Sequence, residues 1–142
     1  MPHFSDKKFM PYSQKQLFDM IADVAKYPEF LPWCMDARIY NHKENQFDAD
    51  LIIGFKAFKE RFTTRVTLNG PNVLDVDYIK GPMRELYNHW KFIKADGGTL
   101  VDFEVDFEFK SKLLGKMIGP VFGEATHRMI SAFEARAKEL YG

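Results

Sequence analysis

Cysteine is almost missing from this chain: Cys34 is the single one in 142 residues. No internal disulfide can form, and a domain of this length needs none, since it buries roughly two thirds of its unfolded surface. Excess charge of either sign is also lacking. Twenty basic and twenty acidic residues cancel, so no global field draws the protein onto nucleic acid or anionic lipid, and only a local patch could do so. With 28% charged residues against 46% hydrophobic ones, the composition speaks against a disordered or membrane-spanning class. The opening residues Met1 to Lys8 have neither the apolar core of a secretory signal nor the Arg-rich character of a transit peptide, and a bacterial cytoplasmic protein, or an already mature one, is expected. His3, His42, His89 and His127 are scattered without metal-ligand spacing. Repeats, linkers and low-complexity tracts are absent, and one domain over 1–142 is expected.

What is present is concentrated first in Tyr27-Pro28-Glu29-Phe30-Leu31-Pro32-Trp33-Cys34. Each proline removes a backbone donor and biases the residue before it away from the helical region, so one short helical turn between the two is the most regular structure expected. A loop this apolar either closes a core or lines the mouth of a cavity.

Elsewhere the order reads strand, helix, a long run of strands, and a terminal helix. A short strand near Phe4 to Met10 precedes Ser13 and Gln16, which have capping-box spacing, and then Leu17, Phe18, Ile21, Ala22 and Val24 at helical intervals. From Met35 the pattern has period two, broken by turn signals at Glu44-Asn45, Asn69 to Asn72, Lys80-Gly81-Pro82 and Asp96-Gly97-Gly98. These turns predict hairpins and an antiparallel sheet. Between Thr99 and Phe109, Val101, Phe103, Val105, Phe107 and Phe109 share one face. In the segment Arg84 to Lys94, Leu86, Trp90 and Phe92 are expected to share a face with Arg84 and Asn88. Polar groups on an inner face need partners or a solvated cavity. A helix from Val121 to Leu140 would carry an apolar stripe that includes Phe122, Met129 and Phe133, with Glu124–Arg128 as an outer i,i+4 pair. Upstream, Gly119-Pro120 is expected to break or kink whatever helix Leu113, Leu114, Met117 and Ile118 begin. That segment reads as a hinge or lid, or as ordinary core packing.

Reactive constellations are scarce. No basic group adjoins Cys34 in sequence to lower its pKa, and burial is its simpler role. Asp102, Glu104, Asp106 and Glu108 alternate along a strand and read as its wet face rather than as an acid/base pair. Lys56, Lys59, Arg61 and Arg65 could seat a phosphate or RNA backbone, or could simply be a solvated strand face.

Taken in order, the Tyr27–Cys34 segment, Gly54-Phe55, Phe62-Thr63-Thr64-Arg65-Val66, Gly81-Pro82 with Leu86, Trp90-Lys91-Phe92, Phe107-Glu108-Phe109 and Ala132-Phe133-Glu134-Ala135-Arg136-Ala137 resemble the coenzyme Q-binding, polyketide cyclase-like family. That family also contains the RatA ribosome-association toxins. The resemblance implies an α+β START-like helix-grip, a curved antiparallel sheet around a long C-terminal helix with two short helices after the first strand. It further implies an apolar cavity between sheet and helix, holding ubiquinone or a similar prenyl lipid as bound ligand, without catalysis or metal, in support of respiratory electron transfer and with transient contact at the inner-membrane surface. The alternative it implies is binding to the large ribosomal subunit, with the Lys56 to Arg65 row as footprint. An aromatase or cyclase reading rests on fold analogy alone. The expected lining is Phe30, Leu31 and Trp33 from the loop, Trp90 and Phe92 from the sheet, and Leu114, Met117, Ile118, Phe122 and Met129 from the C-terminal region. Arg84 and Asn88 are the expected donors to a polar ligand head.

Overall fold

The computed structural model describes residues 3–55 and 58–142. Strand β1 (His3–Met10) leads into helix α1 (Gln14–Ala22) and a 3₁₀ helix (Val24–Glu29). Six strands follow: β2 (Cys34–Lys43), β3 (Gln46–Phe55), β4 (Phe58–Asn69), β5 (Val73–Lys80), β6 (Met83–Ala95) and β7 (Gly98–Phe109). Helix α2 (Lys112–Tyr141) completes the order. The strands form one seven-stranded antiparallel sheet in the order β1-β7-β6-β5-β4-β3-β2. Strands β2 to β7 pair with their sequence neighbours, as tight hairpins require, and β1 joins the far edge against β7. This is the helix-grip that the family resemblance implies, and the element order read from the sequence agrees with it.

Local chemistry sets the element boundaries. Ser13 Oγ accepts from the Gln16 amide at 3.1 Å while Gln16 Oε1 accepts from the Ser13 amide at 3.0 Å, so the capping box that starts α1 is complete. Along β7 the alternation is strict: Val101, Phe103, Val105 and Phe107 are buried, and the acidic residues between them form the outer face. The β5–β6 turn depends on Gly81, whose φ of 152° is unfavourable for other residues and whose Cβ position lies 2.9 Å from the Arg61 carbonyl oxygen. Edge strand β2 carries two register irregularities, between Cys34 and Asp36 and between Tyr40 and Lys43, with Asn41 at φ 54° inside the second.

The core lies between the inner face of the sheet, α1 and the C-terminal half of α2. Phe133 of α2 is 1% exposed and meets Trp90, Tyr27 and Phe30 at ring-centroid distances of 5.5, 5.4 and 5.4 Å. Phe122 stacks on Phe107 at 3.8 Å. At one end of the sheet the start of β4, the β5–β6 turn and the β7–α2 junction lie together: Thr63 pairs with Lys80, Met83 with Phe109, and the Lys110 amide donates to the Pro82 carbonyl at 3.2 Å.

Three sequence expectations change. Helix α2 does not begin at Val121; it runs unbroken for 30 residues from Lys112, with Pro120 inside it. Lys116, Gly119 and Pro120 are all exposed, so this side of the helix faces solvent, which can serve the Lys116 carbonyl that Pro120 cannot. The helical turn near the prolines starts at Val24 and runs through Pro28, rather than lying between Pro28 and Pro32. In β6, a register shift between Met83 and Glu85 puts Arg84 and Glu85 both outward, so the inner face runs Met83, Leu86, Asn88, Trp90, Phe92. Arg84 therefore leaves the face on which strict alternation places it.

Candidate functional site

The wedge between the sheet and α2 is a cavity of about 400 Å³. Its floor comes from alternate residues on the inner face of β3 to β7: Leu51 and Ile53; Phe62, Thr64 and Val66; Leu74 and Val76; Met83, Leu86, Asn88 and Trp90; and Phe103, Val105 and Phe109. One wall is the loop after the 3₁₀ helix, with Leu31, Pro32, Trp33 and Cys34, and the roof is α2 from Ile118 to Phe133. Trp33 has φ 66°, a left-handed conformation that turns the loop at the cavity wall.

Of the expected lining residues, Leu31, Trp33, Asn88, Trp90, Ile118, Phe122 and Met129 line this cavity. The others lie off it. Phe30 is half-buried behind the wall, against Phe133 and Tyr27, with the Arg136 guanidinium 5.0 Å from its ring centre. Phe92 is on the correct face but is covered by α1, where Phe18 meets it edge-on at 5.7 Å, so the cavity ends at Trp90. Leu114 is half-buried short of the lining, and Met117 is 58% exposed because it points away from the sheet on the uninterrupted helix. Arg84 is exposed as a result of the β6 bulge.

Polar groups that reach the cavity have internal partners. Asn88 accepts from Trp90 Nε1 at 2.9 Å and donates to the Glu104 carbonyl at 3.0 Å, which leaves one amide hydrogen unassigned. Thr64 donates to the Ala49 carbonyl at 3.1 Å and Thr126 to that of Phe122 at 2.9 Å. The Tyr27 hydroxyl donates to the Ile21 carbonyl, and burial holds its pKa far above the usual phenol range. Cys34 is 8% exposed; burial first, and then the nearby Asp36 charge, push its thiol up to about 11. A thiol in that state is a packing group rather than a nucleophile. Glu124 and Arg128, paired at 3.2 Å on exposed positions of α2, also contribute to the lining. Their i,i+4 spacing alone reads as a purely outer pair, but Arg128 precedes Met129 and thus flanks the apolar stripe. Such a cavity suits an apolar body whose polar end stays near Arg128 and Glu124.

Outside the cavity, Arg65 pairs with Asp48 through Nε at 2.9 Å and Nη2 at 3.3 Å, and Asn41 adds a bond to the same carboxylate at 3.0 Å. The Arg65 and Asn41 hydrogen bonds hold the Asp48 carboxyl below its ordinary range. This takes Arg65 out of the expected cationic row, and Lys56 lies outside the described residues. Among the described residues no cluster of three or more His, Cys, Asp or Glu side chains could hold a metal. No described helix is long and apolar enough to cross a membrane.

Residues 10–134 match the family model described as polyketide cyclase / dehydrase and lipid transport. The ribosome association toxin RatA of Rickettsia prowazekii is 40% identical over 144 residues, covering 99% of both proteins. The mitochondrial coenzyme Q-binding protein COQ10 homolog B of Xenopus laevis is 31% identical over 147 residues, covering 98% of this chain and 59% of that one. A START superfamily protein from Mycobacterium smegmatis superposes with a TM-score of 0.84 at 19% identity, over 97% of this chain and 98% of the other, a likeness of fold alone.

Proposed function

The chain belongs to the polyketide cyclase / dehydrase and lipid transport family, and on that footing we propose that it is a RatA-type ribosome association protein that acts by binding. The observation that carries this reading is the end-to-end match to relatives named for ribosome association; the coenzyme Q-binding relative is matched over only part of its length. In this reading the protein binds the large ribosomal subunit and hinders subunit joining. Sedimentation of ribosomal subunits with added protein tests it. The expected result is protein co-migrating with the large subunit and fewer joined ribosomes; unchanged profiles at low salt would remove the reading.

The cavity favours a second, compatible activity. Its walls are aromatic and aliphatic, its volume of about 400 Å³ lies in the lower part of the usual ligand range, and a prenylated quinone or similar lipid would leave its tail protruding. Organic extraction of the purified protein followed by mass spectrometry is expected to recover such a lipid. Protein that is empty and also fails to take up added ubiquinone would rule out this use of the cavity.

A further inference from the structure

We infer that the end of the sheet where the start of β4, the β5–β6 turn and the β7–α2 junction meet is the face that contacts the phosphate backbone of ribosomal RNA. This deepens the ribosome reading and rests on it. Among the described residues seven cations stand exposed at that end: Lys59 and Arg61 on β4, Lys80 at the end of β5, Arg84 at the start of β6, and Lys110, Lys112 and Lys116 at and beyond the junction. Register and backbone contacts bring them together. Thr63 pairs with Lys80, the Gly81 Cβ position is 2.9 Å from the Arg61 carbonyl oxygen, Met83 pairs with Phe109, and the Lys110 amide bonds to the Pro82 carbonyl.

Two features mark this end as a docking face for a polyanion. Among the described residues, none of the seven takes part in an ion pair, whereas the paired lysines and arginines lie elsewhere, on β1, α1, the 3₁₀ helix, the outer sheet face and α2. Four carboxylates share the region, Asp36, Glu60, Glu85 and Glu108, so positive charge is in excess here although the whole chain nets to zero. Unpaired exposed cations on several separate tips are suited to release counterions from a phosphate backbone. An anionic bilayer fits less well. An interfacial helix needs a full apolar face, but here Ile118, Val121 and Phe122 are turned into the cavity; on this part of α2 only Leu113 and Met117, 69% and 58% exposed, remain outward, and the exposed Met35 and Ile79 sit apart from them on β2 and β5.

The test compares two charge-reversed variants of the full chain. One carries Lys110→Glu, Lys112→Glu and Lys116→Glu; the other carries Lys43→Glu, Lys91→Glu and Lys94→Glu, an equal change at exposed positions away from this end. Thermal melts establish that both are folded, and a glutamate at position 112 or 116 does not oppose the dipole of the first helical turns. Binding to purified large ribosomal subunits is measured by sedimentation across a salt series. The first variant is expected to bind at least tenfold more weakly, with its log–log salt slope reduced by about 2 to 3, while the second keeps nearly wild-type binding. Equal weakening of both, or of neither, overturns the inference and leaves the ribosome reading standing. Wild-type protein that does not bind the subunits removes both. Vesicles containing phosphatidylglycerol supply the last arm: loss of vesicle binding by the first variant with subunit binding intact reassigns the face to a membrane and overturns the inference.

Discussion

Phe133 is the side chain on which most of the interior converges. Its ring meets Tyr27 and Phe30 from the proline-rich loop and Trp90 from the sheet, and it is 1% exposed. Phe133→Ala removes all three contacts at once and is expected to cost about 3–5 kcal/mol in urea unfolding; a cost near zero would mean that the ring is not buried. Cys34 makes a prediction of a different kind. Because burial raises its folded-state pKa from 9.0 to about 11, the thiolate fraction at pH 8 falls roughly a hundredfold. Iodoacetamide should therefore label native protein slowly at pH 8, faster as the pH approaches 11, and rapidly in urea, as followed by mass spectrometry. The linkage has a definite sign. The folded value lies above the unfolded one, so the stability associated with this proton is fully present below about pH 9 and declines as the pH rises toward 11.

At the scale of elements, α2 is the least economical piece. Pro120 within it leaves one backbone hydrogen bond unmade, and Pro120→Ala is expected to stabilise the protein by about 1–3 kcal/mol in denaturant melts, because the position is exposed and no packing is lost. This proline also indicates how far local patterns reach. The Ser13–Gln16 box, the alternation of β7 and the turn at Gly81 were legible because each depends on chemistry within a few residues. The continuity of α2 was not, since it depends on which side of the helix faces water at Lys116, a tertiary fact. The departure of Arg84 from the inner face was hidden for a related reason: one extra residue in β6 inverts parity, and nothing in the local composition marks where the partner strand skips. Phe92 had the right parity, yet the arrival of Phe18 from α1 covers it. The cavity's other contributors, such as Phe62, Leu74 and Met83, come from separate strands, so register had to assemble them.

For the molecule as a whole, the cavity and the cationic end are neighbours, since Phe62, Met83, Phe109 and Ile118 of the lining adjoin or lie close in sequence to Arg61, Arg84, Lys110 and Lys116. A ligand that binds only the folded state adds stability by mass action. At a free concentration of about 100 Kd, a prenylated quinone held in the cavity should add about 2.7 kcal/mol and raise the midpoint of a thermal scan by several degrees; an unshifted midpoint would argue against occupancy. The edges of the sheet matter at this scale too. An open sheet ends in strands whose unused amides and carbonyls could template further strands. Here the edge at β2 is interrupted twice, between Cys34 and Asp36 and again around Asn41. An incoming strand would lose register at both places, so those irregularities guard the protein against edge-to-edge fibre growth, and straightening them would remove that protection.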